Sequence, residues 1–345
     1  MKNKILIFLS LLIVSVGVQA KLAGKNVVLV HGFNPIDLLE RPADNLLQGR
    51  ADDYWSEYWL SKAEANLYWA STDRITGGIK DDIQSQFQEL AANGTCQAGC
   101  VFITHSTGDL VARYALSKLG QWGISSNDFK VLAVLDFAGA GGGTELADLA
   151  VSVTSGFGLV NSMQRAAINS FLGFDADAGL LGVLYDLRPA TARSTATANN
   201  SIPRLRFVGA GSQYLGITKP FILGSDDAVV PMHSACGASS KSSYDSCSRS
   251  IKNNGVISYV SKAPRSLMYN HYAVLMGEGT NHSDAITNNR SGNFATVSNN
   301  TTKGVNVDFA TTTSRKWWSW GKKVRWVKNG DRKSMSANVF DTLNN

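Results

Sequence analysis

The chain has 345 residues, of which 44% are hydrophobic and 17% charged, with 33 basic and 27 acidic residues and a formal charge of +6. That length exceeds what a minimal domain needs and suits one core carrying insertions. The small positive excess is a mild bias toward anionic surfaces and excludes the dense basic footprint of a nucleic-acid-binding domain.

Met1 to Ala20 has the order of a signal peptide: Lys2 and Lys4, an apolar run from Ile5 to Val18, then Val18-Gln19-Ala20. Cleavage after Ala20 would leave a formal charge of about +4 on a secreted chain. The apolar run is short for a bilayer span, and no other segment offers about twenty continuous apolar residues. Four cysteines, Cys96, Cys100, Cys236 and Cys247, allow three pairings in an oxidising compartment. Proximity in sequence favours Cys96 with Cys100 and Cys236 with Cys247 over a zinc site, because neither pair has the two-residue ligand spacing.

After the leader, Lys25 to Val30 reads as a strand buried on both faces, ending at His31-Gly32-Phe33-Asn34. A second short strand is expected near Leu67 to Ala70. A helix should begin near Ile79, with Ile79, Ile83, Phe87 and Leu90 on one face and Gly94 as its stop. Val101 to Thr104 is a third strand and Asp109 to Leu119 a helix ending at Gly120, so strand, sharp turn and helix surround Ser106. Val131 to Phe137, Leu205 to Val208 and Ala273 to Met276 continue as strands, the last of them closing the series. Strands alternating with helices predict a mostly parallel, doubly wound α/β sheet.

Between Gly139 and Asn200 the alternation breaks into a Gly-rich loop and an apolar stretch with Leu146, Leu149, Val153, Val160, Met163 and Phe171 near helical spacing. This reads as a helical lid insertion, with ordinary core helices as the alternative. The chain thus divides into a leader (1–20), an α/β domain (21–303) with the lid insertion at about 139–200, and an extension (304–345) that is expected to be β and packed on the core. In that extension Trp317, Trp318, Trp320 and Trp326 interleave with basic residues, and Asn329-Gly330 predicts a hairpin turn between short strands.

Thr104-His105-Ser106-Thr107-Gly108 has the small-x-Ser-x-Gly form of a nucleophile elbow, which needs small neighbours so that a serine on a tight turn can stand clear. The backbone amides of Phe33 and Thr107 would supply an oxyanion hole. Asp227 is the preferred acid, with Asp226 and Asp136 as rivals. The base must come late in the chain, at His282 or His271, with His233 too close behind the acid; His282 is preferred because it follows the carboxyl end of a strand, where sites in open α/β sheets lie.

These residues resemble the secreted bacterial triacylglycerol lipases of the α/β-hydrolase fold. The resemblance runs with gaps from Val27 to about Asn289, through VLVHGF from Val28, HSTGDLVARY from His105, GTELAD from Gly143, GSDDAVVP from Gly224 and NHSD from Asn281. It implies Ser106, Asp227 and His282 as a triad and Phe33 and Thr107 as oxyanion donors. Thr104 and Asp109 stand where such lipases have glycine, and Cys236 to Tyr269 is an apparent insertion between acid and base. The family's structural calcium site is echoed by Asp284 and Asn288, without a partner carboxylate upstream of Asp227; calcium needs several oxygen ligands. No cofactor is required for the chemistry. The implied partners are a lipid or ester substrate at a lipid interface and, for some members, a secretion foldase. A phospholipase or acyltransferase with the same triad is the alternative enzyme, and a noncatalytic surface-binding protein on the same scaffold the alternative class.

Overall fold

The computed structural model describes residues 21–155, 160–176, 181–195, 202–242, 271–277, 279–290, 293–296, 307–315 and 323–345. The leader, Cys247, most of the apparent insertion before the base, and Trp317, Trp318 and Trp320 lie outside the described residues.

Six parallel strands form the centre: β1 (Asn26–Val30), β2 (Ala65–Leu67), β3 (Cys100–His105), β4 (Val131–Phe137), β5 (Arg204–Gly209) and β6 (His271–Gly277), side by side in the order β2-β1-β3-β4-β5-β6. Successive side chains of a strand leave opposite faces, and both faces are covered. Val28, Val30, Phe102, Val134 and Val208 join one core with α2 (Gly78–Ala92) and α3 (Gly108–Leu116). Val27, Leu29, Ile103, Leu135, Phe137 and Phe207 join the other, with Trp55 at the end of α1 (Asp44–Trp55) and with Trp59. That is why β1 consists of consecutive aliphatic residues instead of alternating with polar ones.

The predicted faces survive with shifted ends. Helix α2 buries Ile79, Ile83, Phe87 and Leu90, and Gly94 comes after it at φ +75°. Helix α3 stops at Leu116 and a 3₁₀ turn, Leu119–Trp122, carries the chain to Gly123 at φ +72°, so the left-handed exit falls at Gly123 and not at Gly120. The second strand ends at Leu67; beyond it the Tyr68 amide and carbonyl bond the Gln86 side chain (3.0 and 2.8 Å) and the Trp69 amide donates to His31 Nε2 (3.3 Å).

Strand β6 does not close the sheet. It is extended by β7 (Phe294–Thr296), β8 (Thr311–Arg315) and β9 (Lys323–Val327), which add to it antiparallel in the order β6-β7-β9-β8. These strands are short, and TTTSR in β8 carries no apolar alternation for a sequence reading to detect. The expected hairpin at Asn329-Gly330 is also corrected. Asn329 is left-handed (φ +57°), but the chain continues through a 3₁₀ turn into α8 (Met335–Asn344), capped by Ser334, whose hydroxyl accepts from the Ala337 amide. Helix α8 belongs to the second core: Ser336 Oγ accepts from Trp59 Nε1 (2.9 Å) and donates to the Ala285 carbonyl (3.1 Å).

The insertion contains α4 (Glu145–Ser155), α5 (Ser162–Leu172) and α6 (Pro189–Thr195), and a short α7 (Met232–Ala235) follows β5. Leu146, Val153 and Phe171 are buried as expected, Leu149 and Val160 are half-buried, and Met163 in the first turn of α5 is 59% exposed. A disulfide joins Cys96 to Cys100, and Cys236 is disulfide-bonded as well. Among the described residues no helix is long and apolar enough to cross a membrane.

Candidate active site

Strand β3 delivers His105 and then Ser106, whose φ of +54° places it in the left-handed region that a side chain enters only when its surroundings hold it there. The holding contacts are explicit. Ser106 donates its amide to Phe137 O (3.1 Å), while its carbonyl accepts from Ala140 (2.8 Å) and Asp109 (3.2 Å). The close approach is made at Gly108 and Gly32. A Cβ on Gly108 would overlap the Val30 carbonyl, and one on Gly32 would sit 2.7 Å from Ser106 Cβ.

The two departures from the glycine pattern share one explanation. Thr104 Oγ1 donates to Asp136 Oδ1 (2.8 Å), Asp136 pairs with Arg206 Nη1 (2.5 Å), and Arg206 Nη2 reaches Asp109 (2.8 Å), which also accepts from Arg204 (3.0 Å). All five side chains are buried. Burial works against the Asp109 charge, but Arg206, Arg204 and Arg113 overrule it and hold the carboxyl below its ordinary value. Burial and the Asp109 charge push Asp136 up to about 7, against Arg206. Asp136 is therefore committed to this network beneath the elbow.

Of the candidate acids, Asp227 is the one in contact with a late histidine. Its Oδ2 is 2.9 Å from His282 Nδ1, its Oδ1 accepts from the Val229 (3.1 Å) and Val230 (2.7 Å) amides, and its carbonyl accepts from the His282 amide (2.9 Å). Asp226 instead turns back to the Ala228 amide (2.8 Å), and burial raises its carboxyl to about 6. His271 lies in β6 against Arg206 (2.7 Å), and burial beside three arginines drives its imidazole well below the ordinary value. His233 lies 3.3 Å from Glu145.

Ser106 and His282 line one cavity of about 290 Å³, at the lower end of the range for ligand pockets, together with Phe33, Phe171, Leu187, Val229, Val230 and Ile286. The insertion thus contributes Phe171 and Leu187 to the wall. Neither the Phe33 nor the Thr107 amide has a hydrogen-bond partner among the described residues. His31 is structural: its ring stacks on Trp69 at 4.7 Å, Nδ1 donates to Gly32 O (2.7 Å), and burial lowers it to about 4.

Asp284 and Asn288 have different partners. Asp284 Oδ1 accepts from Asn289 (2.8 Å), whereas the Asn288 amide donates to the Glu57 carbonyl. Among the described residues no group of three or more His, Cys, Asp or Glu is arranged for a metal ion, and a calcium ion at Asp284 would draw on further oxygen ligands. Two further site residues, Tyr54 and His105, line the cavity without having been assigned any role from the sequence. His105 could have been suspected from its place beside Ser106; Tyr54 could not, because α1 has no clear apolar periodicity.

No family model and no curated protein matches the sequence. Similar solved structures include the mature lipase BlEst2 of Bacillus licheniformis, at 13% identity and a TM-score of 0.44 over 76% of this chain and 87% of that one. They also include the Staphylococcus hyicus lipase, at 14% identity and a TM-score of 0.39 over 76% and 88%. Phospholipase PlaB of Legionella pneumophila is similar at 14% identity and a TM-score of 0.37 over 61% of this chain, which spans only 45% of that protein. The strand order β2-β1-β3-β4-β5-β6, with a left-handed serine at the β3-to-α3 turn and an Asp–His pair on the loops after later strands, makes this chain an α/β-hydrolase in fold.

Proposed function

We propose that the chain is a secreted serine hydrolase of carboxylic esters, a lipase acting on acylglycerol or related lipid esters. One observation carries this reading: Ser106, on a strained elbow, and His282, paired with Asp227, line the same largely apolar cavity. With Nδ1–H donated to Asp227, His282 presents Nε2 as the base. It takes the Ser106 proton as Oγ attacks the ester carbonyl, and the resulting oxyanion accepts from the Phe33 and Thr107 amides. His282 then returns the proton to the departing alcohol, leaving an acyl-enzyme that water hydrolyses by the same route. Asp227 orients the imidazole and is itself held in place, because two backbone amides and the His282 ring engage its oxygens.

Secretion is supported by the leader sequence and by cysteines engaged in disulfides. The insertion, which walls the cavity with Phe171 and Leu187, acts as a cover that opens at a lipid surface. A lipid interface offers its apolar face a better environment, at roughly 25 cal/mol per Å² transferred.

The test is hydrolysis of p-nitrophenyl esters of graded chain length by the mature protein and by Ser106→Ala. The variant should lose on the order of several powers of ten in rate while remaining folded; near-normal turnover would refute the mechanism. Rate measured against concentration of a medium-chain ester through its solubility limit tests the cover, which is refuted by smooth saturation without a rise at that limit. Product analysis on defined lipids separates hydrolysis from acyl transfer.

A further inference from the structure

Outside its own 3₁₀ turn, the base His282 is held at three points. Two belong to Asp227: the carboxylate on Nδ1 and the carbonyl on the backbone amide. The third is His105, whose Nε2 lies 3.0 Å from the His282 carbonyl, with the two rings 4.6 Å apart. Since a carbonyl only accepts, His105 must carry its proton on Nε2, which leaves Nδ1 as an acceptor. Tyr54 Oη stands 2.5 Å from that Nδ1 and therefore donates to it. All three residues line the cavity, and Tyr54 also approaches the chain at Gly32, where a Cβ would overlap its hydroxyl.

We propose that Tyr54 and His105 are positioning residues that fix the distance between nucleophile and base. His105 precedes Ser106 directly on the elbow, so its bond to the His282 carbonyl ties the loop bearing the base to the segment bearing the nucleophile. Tyr54 selects the Nε2–H tautomer that can make this bond; without a donor at Nδ1, the imidazole is free to place its proton there and face the carbonyl with a lone pair. The relay works uncharged. Burial and the proximity of His282 keep His105 neutral, and burial keeps the Tyr54 hydroxyl protonated. A charged His105 would oppose the positive charge that His282 acquires during the reaction, 4.6 Å away.

This inference rests on the proposed function, and the experiment separates the two. Wild type, Tyr54→Phe, His105→Leu and His105→Gln are compared for p-nitrophenyl butyrate hydrolysis, for the rate of Ser106 labelling by a fluorophosphonate probe, and for thermal unfolding. Tyr54→Phe keeps the ring that packs against His31 and Trp55 and deletes only the hydroxyl. In His105→Gln, the side-chain amide nitrogen can take the place of Nε2 and donate to the His282 carbonyl.

His105→Leu should lower kcat and the labelling rate by about 10- to 100-fold at unchanged KM, since a shift of about 1 Å in a catalytic group costs that much. Tyr54→Phe should lose about tenfold by the same reasoning, and His105→Gln should recover to within about threefold of wild type. The proposal is overturned if folded His105→Leu labels at the wild-type rate, or if His105→Gln is as impaired as His105→Leu, which would assign the effect to ring packing. It is equally overturned if Tyr54→Phe is unimpaired. Should His105→Leu fail to fold, the other two variants decide. A wild-type chain that neither labels nor hydrolyses refutes the proposed function itself, before any variant is compared.

Discussion

Gly32→Ala tests whether the elbow is held by close backbone approach. The added Cβ would overlap Tyr54 Oη, stand 2.7 Å from Ser106 Cβ and lie 3.1 Å from the His105 carbonyl. The tyrosine can retreat; the other two atoms belong to the elbow, which is fixed by the bonds to Phe137 and Ala140. Overpacking of this kind costs about 1–3 kcal/mol, offset by about 0.4–1 kcal/mol because alanine restricts the unfolded chain. The net loss of about 1–2 kcal/mol corresponds to a Tm lower by roughly 1–3 °C for a chain of this length. Displacement of Ser106 by a few tenths of an ångström should cost about tenfold in kcat or more. Gly120→Ala is the control, since nothing lies within 4 Å of its added Cβ. Adding Tyr54→Phe to Gly32→Ala removes the hydroxyl overlap and should return part of the stability but none of the rate, because the Ser106 contact remains. Scanning calorimetry and ester hydrolysis read both effects. A Gly32→Ala variant with the kcat and Tm of Gly120→Ala would refute the reasoning.

Asp227→Asn should cost on the order of 10⁴ in kcat by spoiling the His282 tautomer, while Asp226→Asn, which alters a cap on the Ala228 amide, stays within about tenfold of wild type in the same ester assay. In parallel, His282→Ala should abolish turnover and His271→Ala should chiefly lower stability; the reverse pattern would overturn the assignment of the base. Arg206→Met leaves the buried Asp136 carboxyl without its cation and Asp109 with Arg204 as its remaining ion pair, so urea unfolding should show a loss of about 3–5 kcal/mol. The last prediction concerns acid. His31 has a folded-state value of about 4 against an ordinary 6.5, so between these pH values the unfolded chain binds a proton that the folded chain refuses. Its stabilising contribution is whole above pH 6.5 and is lost as pH falls toward 4. In His31→Asn the decline in unfolding free energy between pH 7 and pH 5 should therefore shrink by about 2 kcal/mol, measured by denaturant titration at each pH.

Local sequence was enough to determine the parallel α/β core. Runs such as NVVLV and VLAVLDF are continuous in aliphatic residues because covers lie on both faces of the sheet, and the period of α2 marks which of its sides is buried. The elbow was legible for a related reason. Its demands fall within a few residues, on Gly108 beside Ser106, and Gly32 stands at the end of an obvious strand.

Tertiary structure alone decided the rest, because the deciding contacts join residues too far apart for any periodicity to link. Which aspartate meets which histidine depends on loops 55 residues apart, and the Tyr54–His105 bond spans 51. The reason Thr104 and Asp109 can replace glycine is a set of arginines on β5, a strand that hydrogen-bonds to β4 and not to β3. The C-terminal segment gave a misleading hairpin signal, since Asn329-Gly330 is a left-handed turn whether a strand or a helix comes after it. Here the chain enters α8, whose Phe340 packs on Trp59 and whose Ser336 bonds the Trp59 indole and the Ala285 carbonyl, contacts that lie far from the turn in sequence.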